Sequence, residues 1–216
     1  MMVEEDGRPF IDDWVAKYGL EPWVSRLIDV AVLPIWHLLV CHGLGVEAHG
    51  QNMILVHREG WPERIILRDF HESLEYVPAF LNEPERVPDL SGMPWVCHGE
   101  NAGQYYQQPT LELLRELVMD TLFVFNLTEV SHLLEQCYAF QECQFWQKVL
   151  DCLRLYAKEH ELEKRQAMLC IDDRKIYTES LLTRKFFGSH VEYHHLVTNP
   201  LFSSIKQECD AYDVSE

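Results

Sequence analysis

The sequence predicts an α+β fold, mainly α-helical with a small antiparallel β element. Three observations predict it. Apolar residues recur at helical spacing over about 21–43 and through most of 110–162. Between these stretches lie two short β-rich runs, Asn52–His57 and Arg64–Asp69, separated by a polar gap with Gly60 and Pro62 that reads as a hairpin turn. No internal repeat or low-complexity tract points to another architecture.

A short helix is expected at 10–19. A longer one follows at about 21–43, where Leu27, Ile28, Ala31, Ile35, Leu38 and Leu39 share a face. Pro34 lacks the N–H that the helix needs, so a kink or a break is expected there. Gly43 and Gly45 then end the helix. Residues 80–108, with Pro84, Pro88, Pro94, Gly92, Gly99 and Gly103, form a long irregular connection, a length usually kept for function or for wrapping a neighbour. Beyond it, Leu114, Leu117, Val118, Thr121, Leu122 and Phe125 make one helical stripe capped by Thr110. A second helix at 129–139 has Thr128 at its cap position, and a third at 143–162 places Phe145, Val149, Cys152, Leu153 and Tyr156 on one face. Shorter helical or extended pieces close the fold near 175–186 and 191–197. One domain over 1–204 and an acidic tail over 205–216 are expected.

The 216 residues are 47% hydrophobic, enough for one sizeable core. Lys plus Arg total 18 against 35 for Asp plus Glu, a net charge of −17. That surface repels phosphate backbones and anionic lipid, so neither nucleic acid nor a membrane surface is an expected partner. An anionic substrate would need cations from a metal or from another segment. Seven cysteines without a CxxC or CC pair argue against structural zinc or a disulfide framework and for a reducing compartment. The N-terminus has neither the basic nor the apolar region of a secretory signal. Trp23–Val40 is short and interrupted by Arg26, Asp29, Pro34 and His37, so it is not expected to span a bilayer. The expected location is cytoplasmic.

One segment concentrates chemistry. Glu47, His49, Gln51 and Asn52 fall within six residues directly after a helix end. In an extended chain Glu47, His49 and Gln51 point one way and Asn52 the other, unless the backbone turns beside Gly50. The hairpin that follows returns Asp69 toward Asn52. Two carboxylates and an amide oxygen are the hard ligands that Mg²⁺ takes beside nucleotide phosphates. The spacing also matches kinase logic, an acid five residues before a metal-binding Asn and an Asp after a hairpin, although neither H-R-D nor D-F-G is present. The competing interpretation makes Glu47 and Gln51 solvated loop residues and Asp69 a turn cap.

The run PWVSRLIDVAVLPIWHLLVCHGLGVEAHGQNMILV, followed by RIILRDFH, resembles the C-terminal region of the NRPS-independent siderophore synthetases of the aerobactin-synthetase type, a region also described as FhuF-like. Gly43, Glu47, Ala48, His49, Gln51, Asn52, Arg68 and Asp69 carry that family's pattern, and Leu181–Arg184 and Asn199–Leu201 resemble its C-terminus. The resemblance implies a palm-like C-terminal domain and an ATP-dependent acid–amine ligase. Such an enzyme adenylates a carboxylate of citrate or a derivative, releases pyrophosphate, and joins the acyl group to a polyamine- or amino-acid-derived amine or hydroxylamine. It places Glu47, Asn52 and Asp69 around Mg²⁺ and the phosphates, Gln51 on the nucleotide, and His49 on the citrate carboxylates as catalytic residue beside Glu47. Family members are well over twice this length, and their upstream part supplies most of the cations. The chain therefore resembles a C-terminal portion whose activity would depend on the upstream part, with homodimerisation implied by the family.

Other candidates are weaker. His194-His195 and Cys97-His98 lack further ligands at metal-site spacing. His71 and Arg184 have no clear assignment, and the six Trp are expected in packing. An iron–sulfur reductase of the FhuF type would need a Cys-Cys pair, whereas Cys170 and Cys209 stand alone. A kinase-like phosphotransferase and a non-catalytic interaction domain are the alternatives to the ligase.

Overall fold

The computed structural model describes residues 4–70, 74–89, 106–180, 186–187 and 194–202. In chain order the elements are α1 (Asp12–Tyr18), α2 (Leu20–His37), β1 (Leu44–Val46), β2 (Met53–Arg58), β3 (Trp61–Leu67) and β4 (Leu74–Tyr76). They are followed by α3 (Leu111–Val118), α4 (Thr128–Tyr138), α5 (Glu142–Glu159), α6 (Glu163–Ala167), β5 (Lys175–Glu179) and β6 (His194–Thr198). The predicted α+β class holds, with helices dominating.

The centre is α2. Its buried face is the one expected, with Ile28, Ala31, Ile35 and Leu39 inside, joined by Trp23 and Trp36. Phe145, Leu150 and Leu153 of α5 belong to the same core, as do Leu114, Leu122 and Phe123. Pro34 does not break the helix: it lies exposed inside α2, on the side where a missing backbone donor is least costly. The irregularity comes four residues later, where Leu38–His42 winds as a π turn. Gly43 ends it at φ 80°, and a Cβ there would sit 2.4 Å from the Phe80 carbonyl oxygen, so a side chain has neither the conformation nor the space. Gly45 belongs to β1 and takes no part in the stop.

Thr110 caps α3 as expected, its Oγ1 accepting from the Leu113 N–H at 3.3 Å. The break expected before residue 129 is absent. The helix continues through a π segment, Met119–Leu127, directly into α4. Thr128 is thus an interior residue rather than a cap, its hydroxyl donating to the Phe123 carbonyl at 3.0 Å. The wider π winding also turns Phe125 out of the predicted stripe, leaving it 47% exposed while Leu122 and Phe123 are buried.

The described strands form three two-stranded antiparallel sheets rather than one: β1 with β4, β2 with β3, and β5 with β6. The β2–β3 connection is tighter than expected. Only Glu59 and Gly60 lie between the strands, at φ 50° and 91°, and the left-handed pair matches the twist of a two-residue hairpin. Pro62 sits within β3, where the register shifts between Val56 and His57. The hairpin tip is fixed to the first two helices. Trp23 Nε1 donates to the Gly60 carbonyl at 2.8 Å, the Tyr18 hydroxyl donates to the Glu59 carbonyl at 3.0 Å, and Arg26 donates to the Pro62 and Glu63 carbonyls.

The long connection returns to where it began. The Tyr76 N–H donates to the Tyr106 carbonyl at 2.9 Å, and Gln108 donates back to the Tyr76 carbonyl at 2.8 Å. Its residues 90–105, with Cys97-His98, lie outside the described residues, as do His71, Leu181–Arg184 and the acidic tail. Of the tryptophans, Trp23, Trp36 and Trp146 are buried and Trp14 and Trp61 half-buried, while Trp95 is not described.

Candidate active site

Chain direction reverses just after β1, and the reversal builds the site. The Asn52 N–H donates to the His49 carbonyl at 2.9 Å, closing a turn over 49–52, so the stretch is not extended as one reading required. The turn is held from behind by the residue between Glu47 and His49. Ala48 is fully buried, its N–H donates to Thr121 Oγ1 at 3.0 Å, and its carbonyl accepts from Asn126 Nδ2 at 3.0 Å. With Ala48 pinned, Glu47 and His49 face the cleft on either side of it.

The turn brings Asn52 to Glu47. Asn52 is 5% exposed, and its Nδ2 donates to the Glu47 carbonyl at 3.1 Å and to Glu47 Oε2 at 3.4 Å. Its amide nitrogen is committed, which leaves Oδ1 as the atom able to meet a cation. His49 Nδ1 accepts the Gln51 N–H at 3.2 Å, so the neutral ring carries its proton on Nε2, 3.7 Å from Glu47 Oε2. His49 is thus set to donate from Nε2 to an anionic oxygen. The Gln51 side chain is exposed at the turn's apex. Asp69 reaches the same end of the hairpin: Met53 pairs with Leu67, and the Arg68 N–H donates to the Asn52 carbonyl at 3.0 Å. Asp69 takes φ 60°, and its carboxylate pairs with Arg68 at 3.2 Å. Glu47, His49 and Asn52 are therefore in mutual contact, Gln51 joins through its backbone, and Asp69 is a neighbour through the strand pairing rather than through a described side-chain contact.

The donor set suits Mg²⁺, since carboxylate and amide oxygens with no sulfur or imidazole nitrogen required are the hard ligands that ion takes. The cations near the core have other employment. Arg165 donates to the Val40 carbonyl at 2.6 Å and to the Phe80 carbonyl at 2.5 Å. Arg115 is 8% exposed and pairs with Asp173 at 2.9 Å.

Glu47 and His49 open onto a cleft of about 330 Å³ whose far wall the sequence did not disclose. It carries Glu75 of β4, Glu116 of α3, Asp120 of the π segment, Glu179 of β5 and His194 of β6. Glu75 accepts from Gln108 Nε2 at 2.6 Å, and Glu116 bonds to His194 Nδ1. Asp120 is 6% exposed; its Oδ2 accepts the Glu179 N–H at 2.7 Å, and among the described residues its Oδ1 has no hydrogen-bond partner. Burial pushes its carboxyl up to about 6, with Glu116 and Glu179 adding to the effect and the Glu179 N–H and His194 opposing it. One signal was present in the sequence. Glu116 and Asp120 are like charges four residues apart, a spacing that weakens a helix, set in an otherwise apolar stretch.

Comparison with known proteins places these features in a family. The model of the ferric iron reductase FhuF-like transporter family matches residues 21–203. The citryl-spermidine/3,4-dihydroxybenzoyl-citryl-spermidine:spermidine ligase of Bacillus anthracis is 38% identical over 200 residues, 92% of this chain and 33% of that protein. The crystal structure of the petrobactin biosynthesis protein AsbB from Bacillus anthracis str. Sterne superposes with a TM-score of 0.87 at 36% identity, covering 97% of this chain and 36% of that one. The aerobactin synthetase IucC from a hypervirulent pathotype of Klebsiella pneumoniae gives 0.75 at 25% identity, covering 94% and 35%. The chain thus spans about a third of the length of the relatives it matches. With the match running from α2 to the residues after β6, the chain belongs to the FhuF-like family as it occurs in the C-terminal region of the NRPS-independent siderophore synthetases.

Proposed function

We propose that this chain is the C-terminal portion of an ATP-dependent siderophore synthetase, acting in the cytoplasm, that adenylates a citrate-type carboxylate and joins it to an amine or hydroxylamine. The observation that carries this reading is the turn at 47–52, where Asn52 is locked to Glu47 through its nitrogen and keeps its oxygen for a cation. Glu47, Asn52 and Asp69 would hold Mg²⁺, which when bound neutralises phosphate charge. Gln51, exposed at the apex, would contact the nucleotide. His49, with its proton on Nε2, donates to a carboxylate or phosphoryl oxygen, and a fixed donor aimed at developing charge lowers a barrier more than water does.

The reaction runs in two displacements. A carboxylate oxygen attacks the α-phosphorus and pyrophosphate leaves. The amine nitrogen then attacks the acyl carbon, the acyl–oxygen bond to AMP breaks, and the nitrogen gives up a proton. No Lys or Arg lines the cleft among the described residues, so the cations that hold citrate and triphosphate would come from the upstream portion of the synthetase. The ligase is favoured over the reductase function in the family's description because the sequence has no Cys-Cys pair.

The test is calorimetric titration of Mg·ATP into the chain supplied with the upstream portion of the synthetase, beside Asn52→Ala and Asp69→Asn. Saturable binding that either substitution weakens at least tenfold is expected, with AMP and pyrophosphate, not ADP, as products. A folded assembly whose Mg·ATP affinity neither substitution changes would sink the reading of this turn as a nucleotide site. Formation of ADP would instead make the chain a phosphotransferase.

A further inference from the structure

The C-terminal end of α2 gathers a set of donors of a different chemistry from the turn at 47–52. His37, Cys41 and His42 each offer one ligand atom, and these atoms lie within 4.8 Å of one another. Regular α-helical winding would not assemble them. At about 100° per residue, His42 would stand about 140° round the helix from His37. The π turn over Leu38–His42 bonds residues five apart, and so brings His42 back over His37 with Cys41 beside it. The Nε2 atoms of the two histidines face each other at 3.1 Å.

The surroundings say what the cluster is suited to hold. His37 Nδ1 is bonded to the hydroxyl of Tyr156 on α5, which orients the ring and leaves Nε2 for another partner. Metal-ligating histidines are held in this way through their second nitrogen. A single proton shared by the two Nε2 atoms would account for their approach, but not for the thiol that converges on them. Bonds of about 2.0–2.1 Å to nitrogen and about 2.3 Å to sulfur, set in a tetrahedron, place two nitrogens about 3.3 Å apart and nitrogen about 3.6 Å from sulfur. The trio lies close to that spacing. All three side chains are half-buried, and His42 also borders an open cavity of about 450 Å³ beside β1 and β4, which gives an ion a path in.

We infer that His37, Cys41 and His42 form a binding site for Zn²⁺, with water in the fourth position. Two imidazoles and a thiolate select a borderline-soft ion of this kind over Mg²⁺, which takes oxygen ligands. The Cys41 thiol gives up its proton to solvent as the ion binds. Through Tyr156 the ion ties the end of α2 to α5, five residues before Glu47, and so fixes the approach to the turn at 47–52. This site stands whether or not the chain is a ligase.

The test is titration of Co²⁺, a stand-in for Zn²⁺ that absorbs visible light, into the full chain with excess Mg²⁺ and a phosphine reductant. The Mg²⁺ occupies oxygen ligands, and the phosphine keeps the thiols reduced without adding a competing one. Saturation at one equivalent is expected, with a thiolate-to-cobalt charge-transfer band and the d–d bands of a tetrahedral ion, both lost when Zn²⁺ is added. Cys41→Ser should remove the charge-transfer band, and His42→Gln should weaken binding at least tenfold. Cys137→Ser, which removes an exposed thiol from α4, should leave both unchanged. Zn²⁺ should also raise the thermal midpoint of the parent but not of the two site variants, because an ion that binds only the folded state stabilises it. Circular dichroism shows which variants are folded, and if one of the two fails to fold the other decides. Absence of the charge-transfer band in the parent, its survival in Cys41→Ser, or full affinity in His42→Gln would overturn the inference.

Discussion

The two sides of the cleft are built on opposite principles. On the near side, Glu47, His49, Gln51 and Asn52 are neighbours in the chain, and the bonds that arrange them span two to five residues. On the far side, Asp120 meets Glu179 across 59 positions and Glu116 meets His194 across 78. The near side is a local device that a short motif can encode. The far side exists only when three distant segments have docked. Each is coupled to the other through Ala48, held by Thr121 and Asn126 of the π segment that also carries Asp120.

That coupling gives the largest expected effect. Thr121→Val keeps the shape but leaves the buried Ala48 N–H without an acceptor, at a cost of about 1–3 kcal/mol. Chemical unfolding should show that loss, and the folded variant should bind Mg·ATP less well. A variant that loses stability alone would separate the two sides.

Asp120→Asn distinguishes them through pH. Because the Asp120 carboxyl is raised to about 6 by burial, with Glu116 and Glu179 adding and His194 opposing, its ionised form is disfavoured in the folded state. The stability this group contributes is present below its unfolded value near 4 and is lost as pH rises through about 6. The asparagine variant should therefore match the parent near pH 4 and exceed it at pH 8, by on the order of 2 kcal/mol. Thermal unfolding across pH 4–8 checks this, and parallel curves would show that Asp120 is solvated. Gain of stability with loss of ligase activity, in the chain supplied with its upstream portion, would mark a residue kept for function rather than for folding.

The smallest effect is expected at Gln51→Ala. The side chain is exposed and its described bond is through the backbone, so stability should move by less than about 0.5 kcal/mol. Weaker Mg·ATP binding at unchanged stability would then report a direct contact with the nucleotide, and unchanged binding would remove Gln51 from the site.

The same contrast explains what was legible in the sequence. The α2 stripe, the β2–β3 hairpin and the Thr110 cap follow from local periodicity and turn chemistry, and each is present, the hairpin with a tighter turn than expected. The near-side residues are legible from residue type, spacing and the family resemblance together, although a turn joins Asn52 to Glu47 where an extended strand would part them. The three-residue strands β1 and β4 were missed because so short a run carries no alternation to read. The π segments were missed because winding of that kind is set by what the helix packs against, and with them went the orientation of Phe125 and the role of Thr128. Glu116 and Asp120 read as ordinary helix positions until β5 and β6 were laid beside them.

The hairpin tip has a mechanical consequence. Clamped by Trp23, Tyr18 and Arg26 at one end and joined to Ala48 and the 49–52 turn at the other, the β2–β3 ribbon is a beam fixed at both supports. A beam of that kind cannot swing as a lid. If the 47–52 turn holds a nucleotide as proposed, an element that closes over it hinges elsewhere, and the end of the ribbon flanked by Asn52 and Asp69 is the fixed jaw against which it closes.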